Sequence, residues 1–323
     1  MKKYVIGIDL GGTKISVASS DLAGNIIYKK TVPTNASEGE NKILDRIISL
    51  VDDTLKKSNL TNEDILCIGI GSPGPLDTKK GTIITTPNLP FKNFDLVKPI
   101  KDRFNIHTVL DNDGNVAAIG EHEFGAGKGT RNMVFITVST GIGGGAVLNG
   151  QIYRGNTSNA LEIGHVTLEK DGVKCNCGNC GCVESLASGT AIARSATKAV
   201  EEAKSRGDKT SLYKYDNITS KEVFDEAKNG DKLALDVINK ALNYLGIFIA
   251  NIMNVFDPEV IIIGGGVSKA GSMVFDKIRE IASKRSFTTI YENTKIVPAK
   301  LGGDAGIIGA VALAITEGKI FIK

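Results

Sequence analysis

Two spacings of apolar residues alternate along this chain. Short apolar runs that break at glycine read as buried strands: Tyr4 to Asp9, Ile65 to Gly71 and Val260 to Ile263. Apolar residues at 43, 44, 47, 48, 51 and 55 instead follow the helical period and predict an amphipathic helix over Asn41 to Lys57. A longer apolar stretch predicts a buried helix from about Asp231 to Phe256, stopped by Asp257-Pro258. Ser185 to Arg206 is alanine-rich and reads as one helix, and Thr219-Ser220-Lys221-Glu222 spells a capping box that starts another.

The order of these elements repeats. Tyr4 to Lys30 reads as strand, glycine turn, strand, Ala-Gly-Asn turn, strand, and Val134 to Gly155 (VFITVSTGIGGGAVLNGQIYRG) reads the same way. A helix and a glycine-terminated strand follow each copy. Two copies of one α/β unit predict two lobes facing a shared cleft, with the boundary near Asp113.

Composition narrows the class. The chain has 323 residues, 41% of them hydrophobic and 23% charged, the balance of a globular protein of two ordinary domains. A net charge of +3 from 39 basic and 36 acidic side chains offers no basic field for nucleic acid. The first residues lack the apolar region of a signal peptide. The apolar run 241–256 is broken by Asn243, Asn251 and Asn254 and is shorter than a spanning helix. The expectation is a cytoplasmic protein without a membrane or nucleic-acid partner, where clustered cysteines bind metal or do redox chemistry.

Glycines after a strand mark sharp turns whose backbone N–H groups can cradle phosphate. Three such loops occur, at 9–14, 139–145 and 264–268, and the first two lack the P-loop spelling. Gly141 to Ala146 satisfies a GxGxxA dinucleotide fingerprint, yet a strand and an Asn-Gly turn follow where that motif needs a helix. Four of five cysteines fall within 175–182. A thioredoxin-type site needs a helix N-terminus, whereas this CxxC sits in a Gly/Asn loop; a zinc ribbon needs two knuckles further apart than eight residues allow. Cys67, in the strand at 65–71, reads as a small core residue.

DLGGTK at 9–14, NDGN at 112–115, STGIGGG at 139–145, ExGH at 162–165, CxC with GCxE at 175–184 and GGGVS at 264–268, in that order, resemble the ROK family of sugar kinases and repressors. The resemblance implies an α/β, two-lobed actin-like ATPase (ribonuclease-H-like) fold with a duplicated βββαβαβα-type unit and a small zinc-bound loop. It implies a small domain at 1–113, completed by a C-terminal helix at 305–323, and a large domain at 114–304. ATP phosphates would be held by Gly11, Gly12, Thr13 and Lys14 on one side and Thr140 and Gly141 on the other, with Gly265 and Gly266 against the adenosine. Asp9 would orient Mg²⁺ through water. Asp113 would be the catalytic base toward the sugar hydroxyl, with Asn112 on a neighbouring hydroxyl. Glu162, His165 and Glu184, and more weakly Asn88, would accept or donate hydrogen bonds to the sugar. Structural Zn²⁺ would be bound by His165, Cys175, Cys177 and Cys182, with Cys180 the alternative to Cys182.

The expected activity is ATP-dependent phosphorylation of the 6-hydroxyl of a hexose, foremost glucose. N-acetylmannosamine, N-acetylglucosamine, fructose, mannose and allose are alternative acceptors, and polyphosphate or ADP alternative donors. A sugar-sensing repressor of the same family would carry a helix-turn-helix ahead of the kinase-like body, whereas here the first strand starts at Tyr4. Family resemblance also implies a homodimer or higher homo-oligomer.

Overall fold

The computed structural model describes residues 2–86 and 88–321. In chain order the elements are β1 (Tyr4–Leu10), β2 (Lys14–Asp21), β3 (Ile26–Pro33), α1 (Glu40–Lys57), β4 (Ile65–Ser72), β5 (Leu76–Asp77), β6 (Thr82–Thr85), β7 (Lys92–Asp95), α2 (Val97–Phe104), β8 (Thr108–Asn112) and α3 (Asp113–Phe124). They continue with β9 (Met133–Val138), β10 (Ile142–Leu148), β11 (Gln151–Ile152), α4 (Val183–Ala187), α5 (Gly189–Arg206), α6 (Ser220–Lys228), α7 (Lys232–Phe256), β12 (Val260–Gly264), α8 (Ser272–Arg285), α9 (Thr288–Asn293), β13 (Lys295–Pro298) and α10 (Ala305–Phe321).

The duplication read from the sequence reappears in the sheets. One sheet has the order β3-β2-β1-β4-β8 and the other β11-β10-β9-β12-β13, the same path through five strands. In each, a hairpin edge leads into a parallel portion: β1 pairs antiparallel with β2 and parallel with β4, and β12 pairs parallel with both β9 and β13.

The chain divides into two compact units, Met1–Arg131 with Gly145–Leu161 and Lys300–Lys323, and Asn132–Gly144 with Glu162–Ala299. The expected boundary at 113/114 would cut the first turn of α3. The first unit instead runs on through α3, because α3 packs along α10.

In the first unit both faces of the sheet are covered, so its strands are apolar on both sides. Ile6, Ile8, Ile68 and Ile70 face Ile43, Ile47 and Val51 of α1. Val5, Leu66 and Cys67 face Val311, Ala314 and Ile315 of α10. Close approach of α10 needs glycine. A Cβ at Gly69 would stand 2.4 Å from the Ala310 carbonyl oxygen, and one at Gly309 would stand 2.2 Å from that of Val116 on α3.

In the second unit α7 is long and apolar enough to pass as a membrane span by length and composition. Its Ile238, Leu242, Leu245, Ile249 and Met253 are buried, and it packs against α5, α6 and α8. Asn243, Asn251 and Asn254 form its exposed side, so it is a core helix, as its interrupted apolar run suggested. Asp231 caps it, its carboxylate accepting from the Ala234 N–H at 2.9 Å. The helix expected over 185–206 is two: Ser188 takes an extended conformation, and its hydroxyl accepts from the Ala191 N–H to start α5 afresh. Helix α3 and the small β5-β6-β7 sheet have no counterpart in the sequence reading.

Replacing Gly309 by alanine forces a methyl into the Val116 carbonyl. We expect a loss of about 2 kcal/mol or more in stability, the scale of overpacking, read by chemical denaturation.

Candidate functional site

The residues with candidate chemistry in the first unit sit where strands end. β1 stops at Leu10, and Gly11 closes a tight turn into β2, its N–H donating to the Lys14 carbonyl at 3.0 Å. The Thr34 hydroxyl donates to the Gly11 carbonyl at 2.6 Å and fixes the turn from the far side. Gly12 faces Asn88, where a Cβ would come within 3.0 Å of the Asn88 Cβ. Asn88, reasoned to be a sugar contact, is therefore exposed beside the loop expected to carry phosphate.

Asp9 lies in register with Ser16 on β2 and Gly71 on β4. The first turn of α10 presses on its carboxylate so closely that a Cβ on Gly306 would stand 2.7 Å from it. Burial pushes the Asp9 carboxyl above the ordinary carboxylate range, against the opposing pull of Lys14 and Lys29.

Asn112 and Asp113 occupy the junction of β8 and α3. Asn112 is the helix cap, its Oδ1 accepting from the Gly114 N–H at 2.9 Å, while Asp113 Oδ1 accepts from the same N–H at 2.8 Å. Asp113 is exposed on the first turn of a twelve-residue helix. The Asp-Gly-Asn spelling of a turn is thus the start of a helix.

In the second unit β9 runs into Ser139-Thr140-Gly141 and returns as β10. The Ser139 carbonyl accepts from the Gly189 N–H at 2.7 Å, which joins this loop to the start of α5. Glu184 braces the loop as well: its Oε2 accepts from the Ile142 N–H at 2.9 Å and would lie 2.5 Å from a Cβ at Gly141. Sequence reasoning gave Glu184 only a sugar to bind and missed this bond. Gly265 has φ 89° and fits against the end of β9, where a Cβ would stand 2.3 Å from the Val138 carbonyl oxygen.

A cavity of about 380 Å³ opens beside these loops, lined by Ser139, Thr140, Gly189, Thr190, Asn217 and Gly266 among others. Thr140 and Gly266 were expected at a nucleotide. Gly189, Thr190 and Asn217 were missed, although Ser-Gly-Thr ahead of an alanine-rich run and the Thr219 capping box both signal helix starts.

Glu162 is exposed and precedes a 3₁₀ turn at Ile163–His165. The ExGH glycine is required by contact, since a Cβ at Gly164 would stand 2.0 Å from the Ile142 carbonyl oxygen. From that turn His165 meets the cysteine loop. Its Nδ1 is 3.7 Å from Cys175 Sγ, and Cys177 Sγ is 3.7 Å from Cys182 Sγ. The four ligand atoms lie within 4.8 Å of one another, and Cys180 is outside the group. Tetrahedral zinc with sulfur at about 2.3 Å and nitrogen at about 2.0 Å needs donor separations of roughly 3.5–3.8 Å, so this donor set fits the ion. The loop is shaped for it by Gly178 and Gly181, at φ 96° and 68°. Cys67 stands apart in β4, its thiol pushed up to about 12 by burial.

The ROK family model matches residues 5–317. The chain belongs to the ROK family. It is 39% identical over 308 residues to a glucokinase of Halalkalibacterium halodurans, covering 95% of this chain and 93% of that protein. It is 32% identical to a xylose repressor of Caldicellulosiruptor bescii, over 97% of this chain and 78% of the repressor. A ROK glucokinase from Streptomyces griseus, solved with glucose and AMPPNP, superposes with a TM-score of 0.77 at 32% identity, covering 97% and 99% of the two chains. The fold is the two-sheet α/β fold of ROK sugar kinases, like that of actin-like ATPases, as the sequence motifs implied.

Asp9 tests the electrostatics of the first loop. A raised carboxyl means that ionisation costs stability in the folded chain as pH rises. Asp9→Asn is therefore expected to melt at or above wild type at pH 7, with the difference shrinking toward pH 4 as Asp9 takes up its proton. A melting series across pH checks both the sign and the trend.

Proposed function

We propose that this chain is an ATP-dependent hexose kinase, with glucose the favoured acceptor and its 6-hydroxyl the nucleophile. The observation that carries the reading is Asp113: an exposed carboxylate on the first turn of α3, flanked by the capping amide of Asn112. A carboxylate placed there can hydrogen-bond a sugar hydroxyl and can also take its proton. Choice of glucose is supported by the 39% identity to a glucokinase and by the likeness to a structure holding glucose and AMPPNP. Repressor relatives share the same body across 97% of this chain, so turnover is the deciding property.

In this reading Asp113 accepts the proton of the 6-hydroxyl as that oxygen bonds to the terminal phosphorus. The bond from phosphorus to the bridging oxygen breaks, and ADP leaves. Asn112, Glu162, His165 and Glu184 orient the sugar, with Asn88 a further contact. Backbone N–H groups of Gly12, Thr13, Thr140 and Gly141, with the Lys14 ammonium, take the phosphates on a turn that Gly11 closes, and Gly265 and Gly266 admit the adenosine. Mg²⁺, held through water by Asp9, would neutralise phosphate charge when bound. Zinc on His165, Cys175, Cys177 and Cys182 would be structural, since four protein ligands leave no open position. His165 turns Nδ1 to the thiols, which leaves Nε2 for a sugar hydroxyl. Such an enzyme would work in the cytoplasm, as a homodimer or larger assembly.

A coupled assay for ADP release over a panel of hexoses and N-acetylhexosamines should give the highest kcat/KM for glucose. No turnover with any of them defeats the kinase reading. Asp113→Ala should lower kcat by about 10²–10⁴-fold or more while ATP affinity holds.

Stripping zinc with a chelator should lower both the melting temperature and glucose affinity, because one histidine serves both. Calorimetry on metal-free protein reads this, and unchanged affinity would separate His165 from the sugar.

A further inference from the structure

Asp111, two residues before Asp113, is a carboxylate with no exposure to solvent. A buried charge persists only when paired and hydrogen-bonded, and Asp111 has three donors. Its Oδ1 accepts from the Asn112 N–H and from Asn115 Nδ2, both at 2.8 Å. Its Oδ2 accepts from Arg154 Nε at 2.6 Å. The two residues held through Oδ1 bracket Asp113 on either side.

Arg154 reaches this point from the segment after β11. Its Nη2 donates to Glu317 Oε1 on α10 at 2.7 Å, so one planar guanidinium spans two carboxylates on two elements. The same segment is held again downstream, where the Asn159 side chain accepts from the Leu76 N–H at 3.0 Å and donates to the Leu76 carbonyl at 3.1 Å. Asn115 is itself buried, and its Oδ1 has no protein partner among the described residues, so its orientation rests on the bond to Asp111.

We propose that Arg154 is a positioning residue for phosphoryl transfer: through Asp111 it fixes the first turn of α3 and thereby the direction of the Asp113 carboxylate. The inference rests on the kinase reading above. Arg154 acts without touching substrate, and its role needs the guanidinium fork rather than positive charge alone. A lysine ammonium is a single point and cannot hold both Asp111 and Glu317 in one plane.

The test measures glucose kcat, KM for ATP and melting temperature for wild type, Arg154→Lys, Arg154→Met and the double variant Asp111→Asn with Arg154→Met. Arg154→Met leaves a buried carboxylate without its cation and is expected to be unstable. The double variant removes the buried carboxylate together with its cation, leaving only the part-exposed Glu317 unpaired, and should recover most of the stability. Positioning predicts that its kcat stays at least about tenfold below wild type, with the KM for ATP within about twofold. Arg154→Lys should likewise fold and lose about tenfold in kcat. Recovery of kcat together with stability in the double variant, or wild-type kcat in Arg154→Lys, would mean a purely structural ion pair and overturn the proposal. A wild type that turns over no hexose overturns the kinase reading first, so the two failures are told apart by the unmodified chain.

Discussion

A helix built mainly of alanine, glycine, isoleucine and valine lies against the first sheet only where side chains are missing beneath it. On the sheet side Gly7 and Gly69 leave room for Val311 and Ala310, and a Cβ at Gly7 would stand 2.8 Å from the Val311 nitrogen. On the α3 side Gly120 and Gly309 face each other across a gap too small for a methyl group. This glycine-lined contact sets the distance of α10 from β1, β4 and α3. Asp9 feels it through Gly306, and Arg154 feels it through Glu317. The carboxylates proposed for metal and for proton transfer both inherit their positions from how closely one apolar helix packs.

Much of this was legible in the chain. Helix α7 ends at Phe256, where Asp-Pro demanded it, and α1 spans Glu40–Lys57 against an expected 41–57. The repeated strand and glycine order foretold two sheets with one strand path. These features depend on period and punctuation, which are local. His165 also meets Cys175, Cys177 and Cys182, the grouping that the family resemblance implied, because a 3₁₀ turn and a two-glycine loop are short-range structures.

What escaped depends on contacts between residues far apart in sequence. Helix α3 has small residues on most sides, Gly114, Ala117, Ala118 and Gly120, so no apolar stripe announces it; its partner α10 lies almost two hundred residues on. Strands β5 to β7 are two to four residues each, too short for alternation to register. Glu184 reads only as a sugar contact until β10 folds back to donate the Ile142 N–H, 42 residues away. Arg154 and Asp111 are separated by 43 residues, and neither position alone suggests a pair.

The placement of α10 also orders the life of the chain during synthesis. The first unit is assembled from three segments, and α10, the helix that covers one face of its sheet, is encoded after the whole of the second unit. Val5, Leu66 and Cys67 must wait with one face open while the intervening second unit, 132–144 and 162–299, emerges whole and free to fold. Strands β1 and β4 are thus made before the second unit and covered after it. A chain cut off after residue 300 would carry the second unit beside a sheet with an uncovered apolar side, a species suited to chaperones and proteases.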